Sequence, residues 1–173
     1  IGGINNKSQG LLEIFIKFLY KENTPNSVGI AEFTKLSENA FRDVNIAYAN
    51  ELSILCEKHK VNFEEVIELA NKHPRVNILE PGIGVGGHCI PIDPWFLVEN
   101  YKNKNSVIRN SRLVNKNKTN YLANKIIKFI NHSNKNLKKP VIFLGLSYKA
   151  NIGDIRESPA IEIINKVSKK INK

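Results

Sequence analysis

Cys89 closes the run GIGVGGHC (82–89), in which Gly82, Gly84, Gly86 and Gly87 surround a single thiol. A thiolate is a strong nucleophile near neutral pH, and glycines let the backbone approach a ligand closely. His88 stands beside the cysteine, and Asp93 follows four residues later between Pro91 and Pro94. Residue types alone leave two readings open: an inert packed cysteine, or a nucleophile presented by a rigid loop with a carboxylate to organise protons. Gly82, Gly84 and Gly87 also fit the spacing G-x-G-x-x-G. That pattern binds dinucleotides only between a strand and a helix. Here no strand precedes it, Pro81 flanks it, and Pro91 and Pro94 argue against a regular helix after it. The loop therefore reads as a mount for Cys89.

A second candidate lies upstream. Lys35 and Asn39 are four residues apart and share one helix face, which is either a solvated surface or a pair of donors for a negatively charged oxygen. Metal chemistry has little to work with. Cys56 and Cys89 form no CxxC pair, no HxxxH pair exists, and His59, His73 and His132 fall in helical or linker context. Cys56 reads as core.

These groups must be carried by mostly helical elements. Apolar residues at helical spacing predict a helix over 7–22, stopped by Thr24-Pro25-Asn26. A long helix is expected from Ile30 to His59, with Phe33, Leu36, Ala40, Val44, Ala47 and Leu55 as its buried stripe. Asn62 with Glu65 resembles a capping box opening a short helix over 63–72. Another long helix is expected over 106–131, with Val107, Val114, Tyr121, Leu122, Ile126 and Phe129 inward. VIFLGLSY (141–148) has the continuous apolar character of a buried parallel strand, and Ser158-Pro159 reads as N-cap and first-turn proline of a final helix. One βα unit cannot cover both faces of its strand, and the chain has no methionine, so it reads as a segment of a longer protein.

Composition bounds the partners. A formal charge of +10 invites a nucleic-acid reading, but the basic residues are scattered, and their densest cluster (Lys135, Lys138, Lys139) sits in a polar linker without any nucleic-acid signature. An anionic small substrate fits the surplus at least as well. No apolar run has the length of a membrane span, and two cysteines make no disulfide framework, so the cytoplasm is the default setting.

Three ordered segments, AEFTKLSENAFRDVNIAYANELSILC (31–56), HPRVNILEPGIGVGGHCIPIDPWFL (73–97) and GLSYKANIGDIRESPA (145–160), resemble the UDP-glucose/GDP-mannose dehydrogenase family. The resemblance implies an α/β protein represented here by three parts. Residues 1–29 would end an N-terminal NAD-binding domain, residues 30–136 would form a central helical dimerisation and catalytic domain, and residues 137–173 would begin a C-terminal, Rossmann-like UDP-binding domain. FRDVN, HPRVNI and GGHC-x-P-x-DPWF are most similar to the branch acting on UDP-N-acetyl-D-mannosamine. Members acting on UDP-glucose carry serine before the cysteine and lysine before the aspartate, where this chain has His88 and Ile92.

The implied activity is a four-electron oxidation of the sugar C6 alcohol to a carboxylate with NAD. Cys89 would hold the intermediate aldehyde as a thiohemiacetal and then a thioester. Lys35 and Asn39 match the family's oxygen-stabilising pair, and Asp93 its proton-handling aspartate. Arg75 matches an arginine that reaches the neighbouring subunit's substrate. His88 and Lys149 fall on the nucleotide-sugar side, and Arg156 on the NAD side. The resemblance implies a homodimer through the long helices, no metal, and no turnover by this chain alone. With most of both nucleotide domains absent, residues 141–173 are expected to be poorly packed or swapped. Relatives acting on UDP-glucose, UDP-N-acetylglucosamine, UDP-N-acetylgalactosamine or GDP-mannose are rival readings, as is an inactive truncated dimerisation module.

Overall fold

A computed structural model of the chain describes residues 4–20, 27–99, 102–103, 105–133 and 140–171. The Thr24-Pro25-Asn26 stop and the cluster Lys135, Lys138 and Lys139 lie outside the described residues. Six helices follow in order: α1 Asn6–Tyr20, α2 Val28–His59, α3 Phe63–Ala70, α4 Asp93–Val98, α5 Val107–Ser133 and α6 Pro159–Ile171. Helix α2 starts where the Ser27 hydroxyl accepts from the Ile30 N–H (3.3 Å), and it ends at Lys60, which takes a left-handed conformation. The Asn62 side chain caps α3 by accepting from the N–H groups of Glu64 and Glu65, at 2.9 and 3.3 Å. Among the described residues no helix is long and apolar enough to cross a membrane.

The seam between α2 and α5 is built differently from the apolar stripe expected of α2. Phe33 is 63% exposed and Leu55 44%, while Asn39, Asp43 and Asn50 are buried beside Ala40 and Ala47. Alanines let the two helices come close, so polar groups meet across the gap instead of large apolar ones. Asp43 pairs with Arg112, and the Asn115 amide donates to the Asp43 carboxylate (2.7 Å) and to its backbone carbonyl (3.0 Å). Burial pushes the Asp43 carboxyl above the usual carboxylate range, opposed by Arg112 and Asn115. Val107 and Phe129 on α5 also face outward, against expectation.

Three further expectations need correction. A helix does follow the glycine loop, because Pro94 falls in the first turn of α4, where its missing N–H has no intrahelical partner to lose. The run 141–148 forms no strand, and no strand stands anywhere among the described residues. A strand exists only against a neighbour that takes up its N–H and C=O groups. Phe143 packs on the α5–α6 core, while Leu144 is 92% exposed. The final segment is loosely packed only before α6: Ile142, Leu144 and Ile155 stand exposed, whereas Ile163 and Val167 of α6 bury themselves against Ala123 and Ile130 of α5. Ser158 does precede α6, but its hydroxyl donates to the Leu146 carbonyl (2.6 Å), which ties the segment down.

Replacing Asp43 with Asn would leave the Arg112 charge buried without its counter-ion. The expected loss is on the order of 3–5 kcal/mol in denaturant unfolding, with most of it recovered in the double variant Asp43→Leu/Arg112→Met. A loss below about 1 kcal/mol for Asp43→Asn would mean the pair is effectively solvated.

Candidate active site

The cysteine loop is bounded by helices at both ends. At its entry the Gly82 N–H donates to Asn50 Oδ1 (2.8 Å), and Thr119 Oγ1 donates to the Ile83 carbonyl (3.0 Å). At its exit the N–H groups of Ile92 and Asp93 both donate to the Cys89 carbonyl, at 3.0 and 2.8 Å, so α4 grows directly from the cysteine. Arg109 on α5 holds α4 by stacking over Trp95, 5.7 Å from the ring centre, and by donating to the Val98 carbonyl (3.3 Å).

Between these ends the C-terminal segment presses on the glycines. A Cβ on Gly86 would lie 2.6 Å from the Tyr148 Cβ and 2.7 Å from the Glu157 carbonyl oxygen, so only glycine fits. Gly87 takes a φ of 87°, and its N–H donates to the Arg156 carbonyl (3.3 Å). The loop is thus clamped by α2 and α5 on one side and by residues 148–157 on another. Cys89 is exposed, whereas Cys56 is buried as the helical pattern implied.

Two open cavities matter here, one lined by this loop and one by α2 alone. One of about 420 Å³ brings His88, Cys89 and Lys149 together with Tyr148 and Arg42. A second of about 990 Å³ runs along α2 and includes Lys35, Asn39 and Arg42. Asn39 Nδ2 donates to Asp93 Oδ2 (2.6 Å), which joins a donor on α2 to the carboxylate that follows the cysteine. Lys35 is turned to Glu38 instead (2.9 Å), and both side chains are largely exposed; Lys35 holds the Glu38 carboxyl below its ordinary range. Arg75 sits exposed in the turn after α3 and lines neither cavity. Arg156 forks onto Asp154 (Nη2 to Oδ2 2.7 Å), and that bond lowers the Asp154 carboxyl to about 2.

Arg42 and Tyr148 are the groups that residue-by-residue reading missed. Arg42 follows Lys35 and Asn39 at helical spacing (35, 39, 42), so that periodicity was the available signal. Tyr148 had none, because its contact with Gly86 and Gly87 crosses sixty residues of chain.

Residues 30–119 match the central domain of the UDP-glucose/GDP-mannose dehydrogenase family, and the chain belongs to that family. It is 49% identical over 170 residues to the UDP-N-acetyl-D-mannosamine dehydrogenase of Campylobacter jejuni, covering 97% of this chain and 41% of that protein. It is 48% identical to an NDP-N-acetyl-D-galactosaminuronic acid dehydrogenase of Ralstonia nicotianae, over 95% of this chain and 38% of the relative. Among solved structures, the UDP-D-ManNAc dehydrogenase of Pyrococcus horikoshii superposes with a TM-score of 0.87 at 40% identity, covering 98% of this chain and 41% of that one. The chain therefore spans about two-fifths of the length of these relatives.

The clamp at Gly86 makes a local prediction. Gly86→Ala forces the loop and residues 148–157 apart, with an expected cost of about 1–3 kcal/mol. Hydrogen exchange should quicken at the Gly87 and Tyr148 amides and stay unchanged in the middle of α2. Unaltered exchange at both amides would refute the clamp.

Proposed function

We propose that this chain is the catalytic core of an NAD-dependent 6-dehydrogenase that oxidises UDP-N-acetyl-D-mannosamine to UDP-N-acetyl-D-mannosaminuronate. The observation that carries the reading is the junction of Cys89, Asp93 and Asn39: the cysteine carbonyl starts α4, and the Asp93 carboxylate at its head takes the Asn39 amide at 2.6 Å. Cys89 attacks the C6 aldehyde and keeps it as a thiohemiacetal, and the thioester that follows is hydrolysed by water. Asn39 and Lys35 stabilise the oxygen on which negative charge develops, once Lys35 leaves Glu38. Asp93 orients the hydrolytic water and takes its proton, with its carboxylate steadied by Asn39. His88 and Lys149, with Arg42, contact the nucleotide sugar from the walls of the cysteine cavity.

NAD⁺, when bound, supplies the hydride acceptor for both oxidations. On this reading Arg156 serves the NAD side, while no strand–turn–helix that would cradle a pyrophosphate stands among the described residues. On this reading residues 1–29 close the NAD-binding domain, 30–136 form the catalytic and dimerisation domain, and 137–173 open the UDP-binding domain. The run 141–148 then becomes a strand when neighbouring strands are supplied, and α6 is its crossover helix.

In the full-length protein, Cys89→Ser should lower NADH formation by roughly three orders of magnitude or more, with its circular dichroism unchanged. UDP-N-acetyl-D-mannosamine should exceed UDP-glucose in kcat/KM by about a hundredfold. Activity within a few-fold of wild type in Cys89→Ser would overturn the covalent route. Preference for UDP-glucose would overturn the sugar. The 48% relative acting at N-acetylgalactosaminuronic acid makes UDP-N-acetylgalactosamine the second sugar to assay.

The same reading includes a homodimer through the long helices. Phe33, Phe41, Tyr48 and Leu55 stand exposed along the outer side of α2, at 63, 70, 56 and 44%. An obligate interface would cover that stripe, burying on the order of 2,000 Å². Arg75, away from both cavities of its own chain, would serve the neighbour's substrate. Sedimentation should give a dimer at micromolar concentration that survives moderate salt, and Phe41→Glu should dissociate it. A folded monomer for the unaltered protein would contradict the assembly.

A further inference from the structure

The loop that presents Cys89 is held by α2 at two points. Asn39 holds its exit through Asp93, and Asn50 holds its entry through the Gly82 N–H. These two asparagines are eleven residues apart, three turns of one face, so α2 spans roughly 16 Å between the loop's ends. Asn39 belongs to the chemistry already described. Asn50 touches no cavity that contains the thiol, and it is completely buried.

The orientation of the Asn50 amide is dictated from inside the seam. Asn115 donates through Nδ2 to the Asp43 carboxylate, which the Arg112 pair keeps as an acceptor. The other end of the Asn115 amide, Oδ1, can then only accept, and it does so from Asn50 Nδ2 at 2.9 Å. Asn50 must therefore turn Oδ1 to the loop, where the Gly82 N–H supplies the donor. Beside it, Thr119, 3% exposed, gives its hydroxyl proton to the Ile83 carbonyl. Two successive loop residues are thus pinned, one through N–H and one through C=O, by two different helices.

We infer that Asn50 and Thr119 are positioning residues that set the pose of the Cys89 thiol, with Asn115 and Asp43 fixing the direction of the Asn50 amide. The inference rests on the reading of Cys89 as nucleophile. An offset of about 1 Å at a reacting atom lowers turnover by about a hundredfold, and releasing either pin frees the loop to shift by that much. Substrate binding is affected less, because Arg42 on α2 and Lys149 in the segment before α6 stay on their own supports.

The test uses the full-length protein with UDP-N-acetyl-D-mannosamine and NAD⁺, and it reads kcat and KM separately. It also follows the rate of Cys89 alkylation by iodoacetamide across pH, with Cys89→Ser as the blank. Thr119→Val and Asn50→Ala should each lower kcat by about ten- to a hundredfold, with KM within about threefold, and should change the alkylation profile. Thr119→Ser, which keeps the hydroxyl, should restore both. Lys166→Ala removes a bond between α6 and Asn120 of α5 without touching the loop or Asn50, and it should leave both readouts alone. Should Asn50→Ala fail to fold, Thr119→Val against Thr119→Ser decides. The inference is overturned if folded Thr119→Val keeps kcat and alkylation near wild type, or if Lys166→Ala does equal damage. An active Cys89→Ser would instead overturn the nucleophile on which it rests.

Discussion

The ion pair between Asp43 and Arg112 is the constraint on which this structure turns. Both side chains are withdrawn from water between α2 and α5, where neither charge is tolerable alone. Asp43 Oδ2 and Arg112 Nε find no hydrogen-bond partner there, so the pair is not an optimised source of stability. Its effect is on register. Only one axial and rotational setting of the two helices lets Arg112 and Asn115 both reach Asp43, whereas apolar side chains would accept several. The alanines at 40 and 47 serve the same end, by bringing the backbones close enough for short polar side chains to meet.

Register on this seam becomes geometry at the loop. The backbone of 82–93 has little regular structure of its own, so its path is decided by what its N–H and C=O groups bond to. Helix α2 supplies Asn50 and Asn39, α5 supplies Thr119, and the segment before α6 supplies the Arg156 carbonyl and the Tyr148 ring. Three parts of the chain far apart in sequence converge on these twelve residues. A thiol mounted in this way can be exposed and still be fixed in direction. That is the combination a nucleophile needs, because access to substrate and loss of freedom usually oppose each other.

The glycines follow from the same convergence. Gly86 is excluded from carrying a side chain by the Tyr148 Cβ and the Glu157 carbonyl, and Gly87 by its backbone angle. Their spacing with Gly82 imitates a dinucleotide fingerprint, yet the physical demand differs. In the fingerprint, glycine makes room for a pyrophosphate; here it makes room for the protein's own C-terminal segment.

Much of this was legible in the chain. Helical periodicity gave α2, α3 and α5 to within a few residues, because 3.6-residue spacing and the cap at Asn62 are local signals. The loop and its thiol were legible because a glycine–proline run around one cysteine excludes a helix or a strand through it. Other features were decided only by tertiary structure. Which face of α2 is buried could not be read from apolar spacing, since its interior is specified by Asp43, Asn50, Arg112 and Asn115, polar residues whose burial is tolerable only when each finds the other. Phe33 and Leu55 matched a core pattern and lie outside it. The apolar run 141–148 has a strand's composition, but strand pairing belongs to two segments at once, and no partner stands among the described residues. Likewise, Asn39 and Asp93 each announced a polar group, while their 2.6 Å contact across fifty-four residues exists only after α2 and α4 have packed. Local chemistry is written in neighbouring residues, whereas the satisfaction of a buried polar atom is a property of the folded pair.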